Sequence, residues 1–202
     1  MGKMNLLKAN WYGKVGQTVG SKWKNKSTIR TYTKPANPDT AAQQKVRGGF
    51  AALTSFVALF ADGIRYLSAL DTAGQSVRNA IIKINKDQIV DGAIDKANLL
   101  ISKGGLQKPQ GVSVATASGI ATVTWTPPTA TNFTAKAKAI AVLVDEEGLI
   151  VDVFEGAAAD GTATGSVALT VGNTYDAYVY FLDYRGSNKV ASNSVYETGT
   201  VA

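Results

Sequence analysis

The sequence predicts a two-domain chain: a small α+β module of basic β-hairpins plus two or three helices, followed by an all-β sandwich. Three observations predict it. The charge changes sign along the chain: residues 1–106 carry 16 Lys and Arg against 6 Asp and no Glu, a net +10, whereas residues 107–202 carry 5 against 9 acids, a net −4. The apolar pattern changes too, from three- and four-residue spacing to alternation in short runs. A Gly- and Lys-rich stretch, Lys103-Gly104-Gly105-Leu106-Gln107-Lys108-Pro109, lies where both changes meet. The expected boundaries are a basic module over 1–105, a linker over 106–108 and a sandwich over 109–202.

Composition narrows the chemistry. With 202 residues, 45% of them apolar, the chain is long enough to bury a core. It has no cysteine, which removes disulfides, a thiol nucleophile and cysteine zinc sites. It has no histidine, which removes the commonest general base and metal ligand, so Ser–His–Asp and Cys–His constellations and the zinc-protease motif are excluded. No apolar run reaches the length of a membrane span. The opening MGKMNLLKANWYGK lacks a continuous apolar region and a small-residue cleavage site, so no secretory signal is expected. The expectation is a non-enzyme with no catalytic, cofactor-binding or metal-ligating residues.

The first element is basic and glycine-punctuated. Residues 19–23 and 28–32 read as strands joined through Lys24-Asn25-Lys26-Ser27, while Gly13, Gly16 and Gly20 mark bulges or close approaches. Trp11, Tyr12, Trp23 and Tyr32 supply large faces for cross-strand packing. A small hairpin is marginal alone, so it needs helices or a neighbouring subunit to cover it. Pro35 and Pro38 then break the chain, and Thr40 to Gln43 fits a capping box. Val46, Phe50, Leu53, Val57, Phe60, Ile64 and Leu67 trace one helical stripe, with Asp62-Gly63 as a division. Gly48-Gly49 costs helix propensity and is tolerable where something packs closely. Thr72 and Gln75 suggest a second cap before a shorter helix carrying Val77, Ala80, Ile81 and Ile84. Residues 87–96 read as irregular, and 98–102 as a strand returning to the N-terminal sheet.

Beyond the linker, seven alternating runs (112–116, 121–126, 137–144, 149–154, 166–171, 175–182 and 190–196) are separated by turn residues, the pattern of a β-sandwich. Residues 109–197 resemble a fibronectin type III or closely related immunoglobulin-like domain. The resemblance rests on Pro109, Ala121-Thr122-Val123-Thr124-Trp125 with Pro127-Pro128, Leu169 to Tyr175 with Tyr175 as a tyrosine corner, and Asn193-Ser194-x-Tyr196. Residues 2–105 resemble a pattern in uncharacterised bacterial and bacteriophage proteins, in which a GKVG hairpin (WYGKVGQTVGSKWKNKSTIR here) precedes a P-x-N-P-x-T-x-A-Q helix start (Pro35 to Gln43). Their phage-like gene context implies a virion-associated structural role; the family offers no catalytic residues.

The candidate binding residues are Trp11, Tyr12, Lys14, Lys22, Trp23, Lys24, Lys26, Arg30 and Lys34. Cations with interleaved aromatics are what non-specific nucleic-acid binding uses. Strand alternation sets Lys22 and Lys24 opposite Ser21 and Trp23, which favours a packing and docking hairpin with a solvated basic face. Asp145-Glu146-Glu147 with Asp152 reads as a hairpin tip rather than a cation or catalytic site. The expected function is a structural or assembly protein of a bacteriophage particle, assembled in the cytoplasm. Its partners would be further copies or other virion proteins. The alternatives are nucleic-acid binding through the hairpin, or a carbohydrate-binding sandwich using Tyr178, Tyr180, Tyr184 and Tyr196.

Overall fold

The structure is a computed structural model that describes residues 13–24, 26–34, 36, 39–65, 67–70, 74–147 and 149–202, with only the backbone of Trp23. Its contacts divide the chain into two compact units, Met1–Thr40 and Ala41–Ala202. The expected boundary at 106–108 therefore does not separate them; that stretch lies inside the second unit.

The described part of the first unit is three antiparallel strands, Gly13–Val15 (β1), Thr18–Trp23 (β2) and Lys26–Thr31 (β3), in the order β1-β2-β3. Val15 pairs with Thr18 and Trp23 with Lys26, so both connections are tight. Gly16 (φ 58) and Lys24 (φ 43) take the left-handed backbone that short hairpin turns require.

The second unit opens with helix α1 (Ala41–Phe60), starting directly after Thr40. Leu53, Phe56, Val57 and Phe60 form its buried face, but Val46 and Phe50 are exposed, so the expected stripe runs on past its cover. Helix α2 (Val77–Ile84) is capped by Ser76, whose Oγ accepts from the Asn79 amide at 3.2 Å; Thr72, the expected cap, is outside the described residues. A hairpin of Ile89–Val90 (β4) and Ala93–Ile94 (β5) then crosses α1. A Cβ on Gly49 would lie 2.2 Å from Ile89 Cγ2 and 3.3 Å from the Gly92 backbone, whereas Gly48 has nothing within 4 Å. The two glycines therefore have opposite uses. Gly48→Ala is expected to raise stability by up to about 1 kcal/mol, and Gly49→Val to lower it by about 1–3 kcal/mol by levering the hairpin away. Urea midpoints of the two variants check both signs.

The sandwich follows. Gln110–Ala117 (β6), Ile120–Thr126 (β7), Lys138–Asp145 (β8), Ile150–Ala157 (β9), Thr162–Ser166 (β10), Thr174–Arg185 (β11), Asn188–Ala191 (β12) and Val195–Thr200 (β13) are its strands. One sheet has the order β10-β7-β6. The other has β12-β11-β8-β9, with β13 also pairing along β11. Between them lie Val123, Trp125, Leu143, Val179 and Phe181, and Trp125 Nε1 donates to the Ala158 carbonyl at 2.9 Å. Tyr175 donates to the Val114 carbonyl on β6 at 3.0 Å, which ties the two sheets together rather than closing a local corner. Of the expected strand 166–171 only Ser166 is in one, as the last residue of β10. Two of the amides that follow are taken by side chains: Ala168 donates to Asp152 at 2.8 Å and Thr170 to Asp145 at 3.2 Å.

The outer face of the larger sheet is covered too. Ile140, Val142 and Val144 of β8 and Tyr178, Tyr180 and Leu182 of β11 pack against Leu53, Phe56, Phe60, Ile64 and Ile81 of the helical region in a second continuous core. Both central strands are thus buried on both faces, as their nearly unbroken apolar runs require. The unit has three layers: helices, five-stranded sheet, three-stranded sheet. Residues 98–102, expected to return to the N-terminal sheet, instead lead into 103–106 along the sandwich. Ile101 donates to Ser194 Oγ at 3.0 Å, Ser194 to the Ser102 carbonyl at 3.1 Å, and Leu106 to the Ala191 carbonyl at 3.1 Å.

Candidate functional site

The functional candidate must be sought where the chain is left unsatisfied. In the Ala41–Ala202 unit three of the four acids flagged by sequence, Asp145, Glu146 and Asp152, are engaged in structure. Asp145 is buried and accepts from the Thr170 amide and from Asn173 Nδ2, and Asp152 holds Ala168. Glu146 pairs with Lys96 Nζ at 2.5 Å, and Asp176 pairs with the same ammonium at 2.8 Å while accepting from the Tyr196 hydroxyl at 2.6 Å. Burial pushes the Lys96 pKa down, but those two carboxylates outweigh it and hold the ammonium above the usual lysine value. Among the described residues, no group of three or more His, Cys, Asp or Glu is placed to hold a metal ion. Nor is any helix among them long and apolar enough to cross a membrane. Tyr178 and Tyr180 are fully buried, so they offer no stacking face to a sugar.

Asp183 shows the same structural use of charge. It is fully buried and accepts from the Thr134 amide at 3.2 Å, the Thr134 hydroxyl and Arg185 Nε at 3.0 Å. Burial pushes its pKa up, but the Thr134 and Arg185 bonds outweigh it, so the folded value lies below the ordinary carboxylate one. A depressed folded pKa gives stability that is present above the unfolded value, about 4, and lost as pH falls through the folded one. The unfolding midpoint is therefore expected to drop on acidification below about pH 4, and Asp183→Asn to flatten that slope while lowering stability at neutral pH. Urea titrations of both proteins across the acid range measure it.

The first unit is different. Residues 1–40 hold 8 Lys and Arg against 1 Asp, a net +7, while residues 41–202 hold 13 against 14 acids, a net −1. The chain's net positive charge thus belongs to the small unit alone. From Gly13 to Lys34 there are six cations and no acid. Lys14 lies on β1, Lys22 on β2, Lys24 in the following turn, Lys26 and Arg30 on β3, and Lys34 beyond it; all six are exposed. Trp11 and Tyr12 lie outside the described residues, and Trp23 is placed only by register.

Register decides which cations share a face. Lys14 and Arg30 are both partners of Val19, Ser21 is the partner of Thr28, and Trp23 is the partner of Lys26. The Ser21 and Thr28 hydroxyls are 2.7 Å apart. Lys22 pairs with Ser27 in the opposite pleat. The expected separation of charge from Ser21 and Trp23 holds for β2 taken alone, but β1 and β3 add cations to the other side, so both faces are basic. Tyr32, one of the aromatics that the sequence interleaves with these cations, stands beside Lys14. Its amide donates to the Gln17 carbonyl at 2.7 Å, and Lys14 Nζ lies 3.7 Å from the centre of its ring. Only the register of β1 could have revealed that pairing. Apart from buried Gly20, every described residue of the sheet is exposed or half-exposed.

Solved structures similar to this chain are sandwich domains. The fn3 domain of human collagen alpha-1(XX) matches at 21% identity over 48% of this chain and 87% of its own, with a TM-score of 0.38. A redesigned β-sandwich protein matches at 18% over 48% and 92%, TM-score 0.37. A two-domain fibronectin type III segment of chicken tenascin matches at 16% over 48% and 50%, TM-score 0.35. No curated protein matches the sequence. Residues 9–198, spanning both the basic sheet and the three-layered unit, match a single family model, and the chain belongs to that family, the family of unknown function DUF6266.

Proposed function

We propose that the protein is a non-enzymatic attachment and assembly protein, with the basic sheet as its anchor and the three-layered unit as the part displayed. The observation that carries this reading is the sheet itself. It has three strands, exposes both faces, bears cations on each, and has no apolar core among its described residues. Such a sheet is marginal in water and gains most from a partner that covers it. The larger unit has closed cores on both sides of its central sheet and needs no such cover.

The setting that the GKVG hairpin and the Pro35-to-Gln43 helix start imply is a bacteriophage particle, where many copies would make individually weak contacts cooperative. Localisation to the virion, through contact with further copies or other particle proteins, is part of the same reading. Light scattering of the full chain over a range of salt and protein concentration tests it. A defined ring or larger oligomer is expected. A monomer under every condition sinks the assembly reading.

A further inference from the structure

The composition of the basic sheet says what kind of partner it fits. Its cations are five lysines, Lys14, Lys22, Lys24, Lys26 and Lys34, against the single Arg30. Protein–protein interfaces run the other way, enriched in Arg and depleted in Lys and Ser. Arginine forks match carboxylate and phosphate alike, while a lysine ammonium binds phosphate as a point charge from any direction. Along one face, Lys14 and Arg30 flank Val19, the Ser21 and Thr28 hydroxyls follow at 2.7 Å from each other, and Lys26 comes next. At about 3.3 Å per residue, Lys26 and Arg30 stand about 13 Å apart, with hydroxyls between them. Both types of group serve phosphate oxygens. At the Arg30 end stands Tyr32, a residue 41% exposed, with Lys14 Nζ over one face of its ring at 3.7 Å. An aromatic face beside a row of cations is a stacking platform for an unpaired base.

From this arrangement we infer that the sheet is a binding surface for single-stranded nucleic acid. Phosphates lie on Lys14, Lys26 and Arg30 with the Ser21 and Thr28 hydroxyls, and a base stacks on Tyr32. The inference rests on the reading of the sheet as the docking element, and makes nucleic acid rather than a further copy or particle protein what the sheet itself holds. Lysine contacts to phosphate carry no sequence information, so binding tolerates any sequence.

Fluorescence anisotropy of the full chain with a labelled oligothymidylate of about 20 nucleotides tests it. Neutralising three to six phosphates on a single strand gives a log–log salt slope of about −2 to −4, so affinity should fall about 20- to 200-fold between about 50 and about 200 mM salt. Lys14→Ala/Lys26→Ala/Arg30→Ala should weaken binding at least about tenfold and flatten the slope by about 2. Tyr32→Ala should weaken it at least about fivefold, more than it weakens binding to a duplex of the same length. The glutamine version of the triple variant keeps the test valid where the alanine version changes the circular dichroism of the sheet. Equal affinity for polyglutamate, or no binding at low salt, overturns the inference. If nucleic acid is not bound but the oligomer persists and dissociates in the triple variant, the inference falls and the attachment reading stands. If neither is seen, both fall.

Discussion

Tyr178→Ala is expected to destabilise the Ala41–Ala202 unit by about 3–5 kcal/mol, the range for deleting a large buried aromatic. The Tyr178 ring lies between layers. It meets Phe56 of α1 at 6.2 Å, Phe60 at 6.4 Å and Tyr196 of β13 at 5.4 Å, centre to centre, and its hydroxyl donates to the Lys96 carbonyl at 3.2 Å. Removing it opens a cavity where the helical region and the sandwich join. With total stability on the order of 5–15 kcal/mol, such a loss leaves the variant near the edge of folding at ambient temperature. Tyr178→Phe keeps the ring and should cost about 1 kcal/mol, the hydroxyl's bond to a Lys96 carbonyl that still accepts from the Leu99 amide at 3.2 Å.

This substitution also tests whether helices and sandwich unfold together. In a Trp11→Phe/Trp23→Phe background Trp125 is the sole tryptophan, so its fluorescence reports the inter-sheet core while circular dichroism reports the helices. Urea transitions from the two probes should coincide in the parent and move together in Tyr178→Ala. Loss of the helical signal ahead of the Trp125 signal would return the helices to a domain of their own.

The second large effect is expected at Gly104. An added Cβ would lie 2.0 Å from the Ala191 carbonyl oxygen and 2.7 Å from its carbon, and this is backbone that cannot swing away. Gly104→Ala must therefore push residues 101–106 off the sandwich. The bonds at risk include those from the Gly104 amide to Asn193 Oδ1 at 3.1 Å and from the Ser102 hydroxyl to the Ser192 carbonyl at 2.8 Å. A loss of about 2–3 kcal/mol is expected from overpacking and broken hydrogen bonds together. Its neighbour is the control: Gly105 has nothing within 4 Å of an added Cβ. Gly105→Ala should stay within about 0.5 kcal/mol of the parent. In a flexible linker the two alanines would behave alike, so equal midpoints in thermal or urea unfolding would contradict the seam.

The sandwich strands were legible because alternation survives wherever one face meets a core, as in Ile120–Thr126 with Ala121, Val123 and Trp125 inward. The third layer was not, although its trace is present. Ile140 to Val144 and Ala177 to Leu182 are unbroken apolar runs, the mark of strands covered on both sides. Charge misled, because it belongs to surfaces: its change of sign near residue 106 says nothing about which apolar faces meet beneath. Lys103 to Pro109 looked like a linker because the groups that hold it, Ala191, Ser192 and Asn193, are about ninety positions away. Val167, Leu169 and Val171 alternate as a strand would, but Asp145 and Asp152 take their neighbours' amides. In the basic sheet the residue types were legible and the register was not. The turn after Trp23 is tighter than a four-residue loop, which draws Lys26 into the ladder and brings Lys14 and Arg30 to one row.

The helical cover has a consequence for synthesis on the ribosome. Residues 41–106 emerge first, yet Tyr178 and Tyr180, which close their apolar face, lie on a strand that arrives last but two. The Tyr180 hydroxyl donates to the Leu67 carbonyl across 113 positions. Contacts so distant cannot form until most of the chain has been made, which predicts slow folding dominated by late pairing. Until then Leu53, Phe56, Val57 and Phe60 have no cover from the sheet. At about 5–20 residues per second, the nascent helices wait several seconds for their partner, an interval in which a chaperone has something to hold.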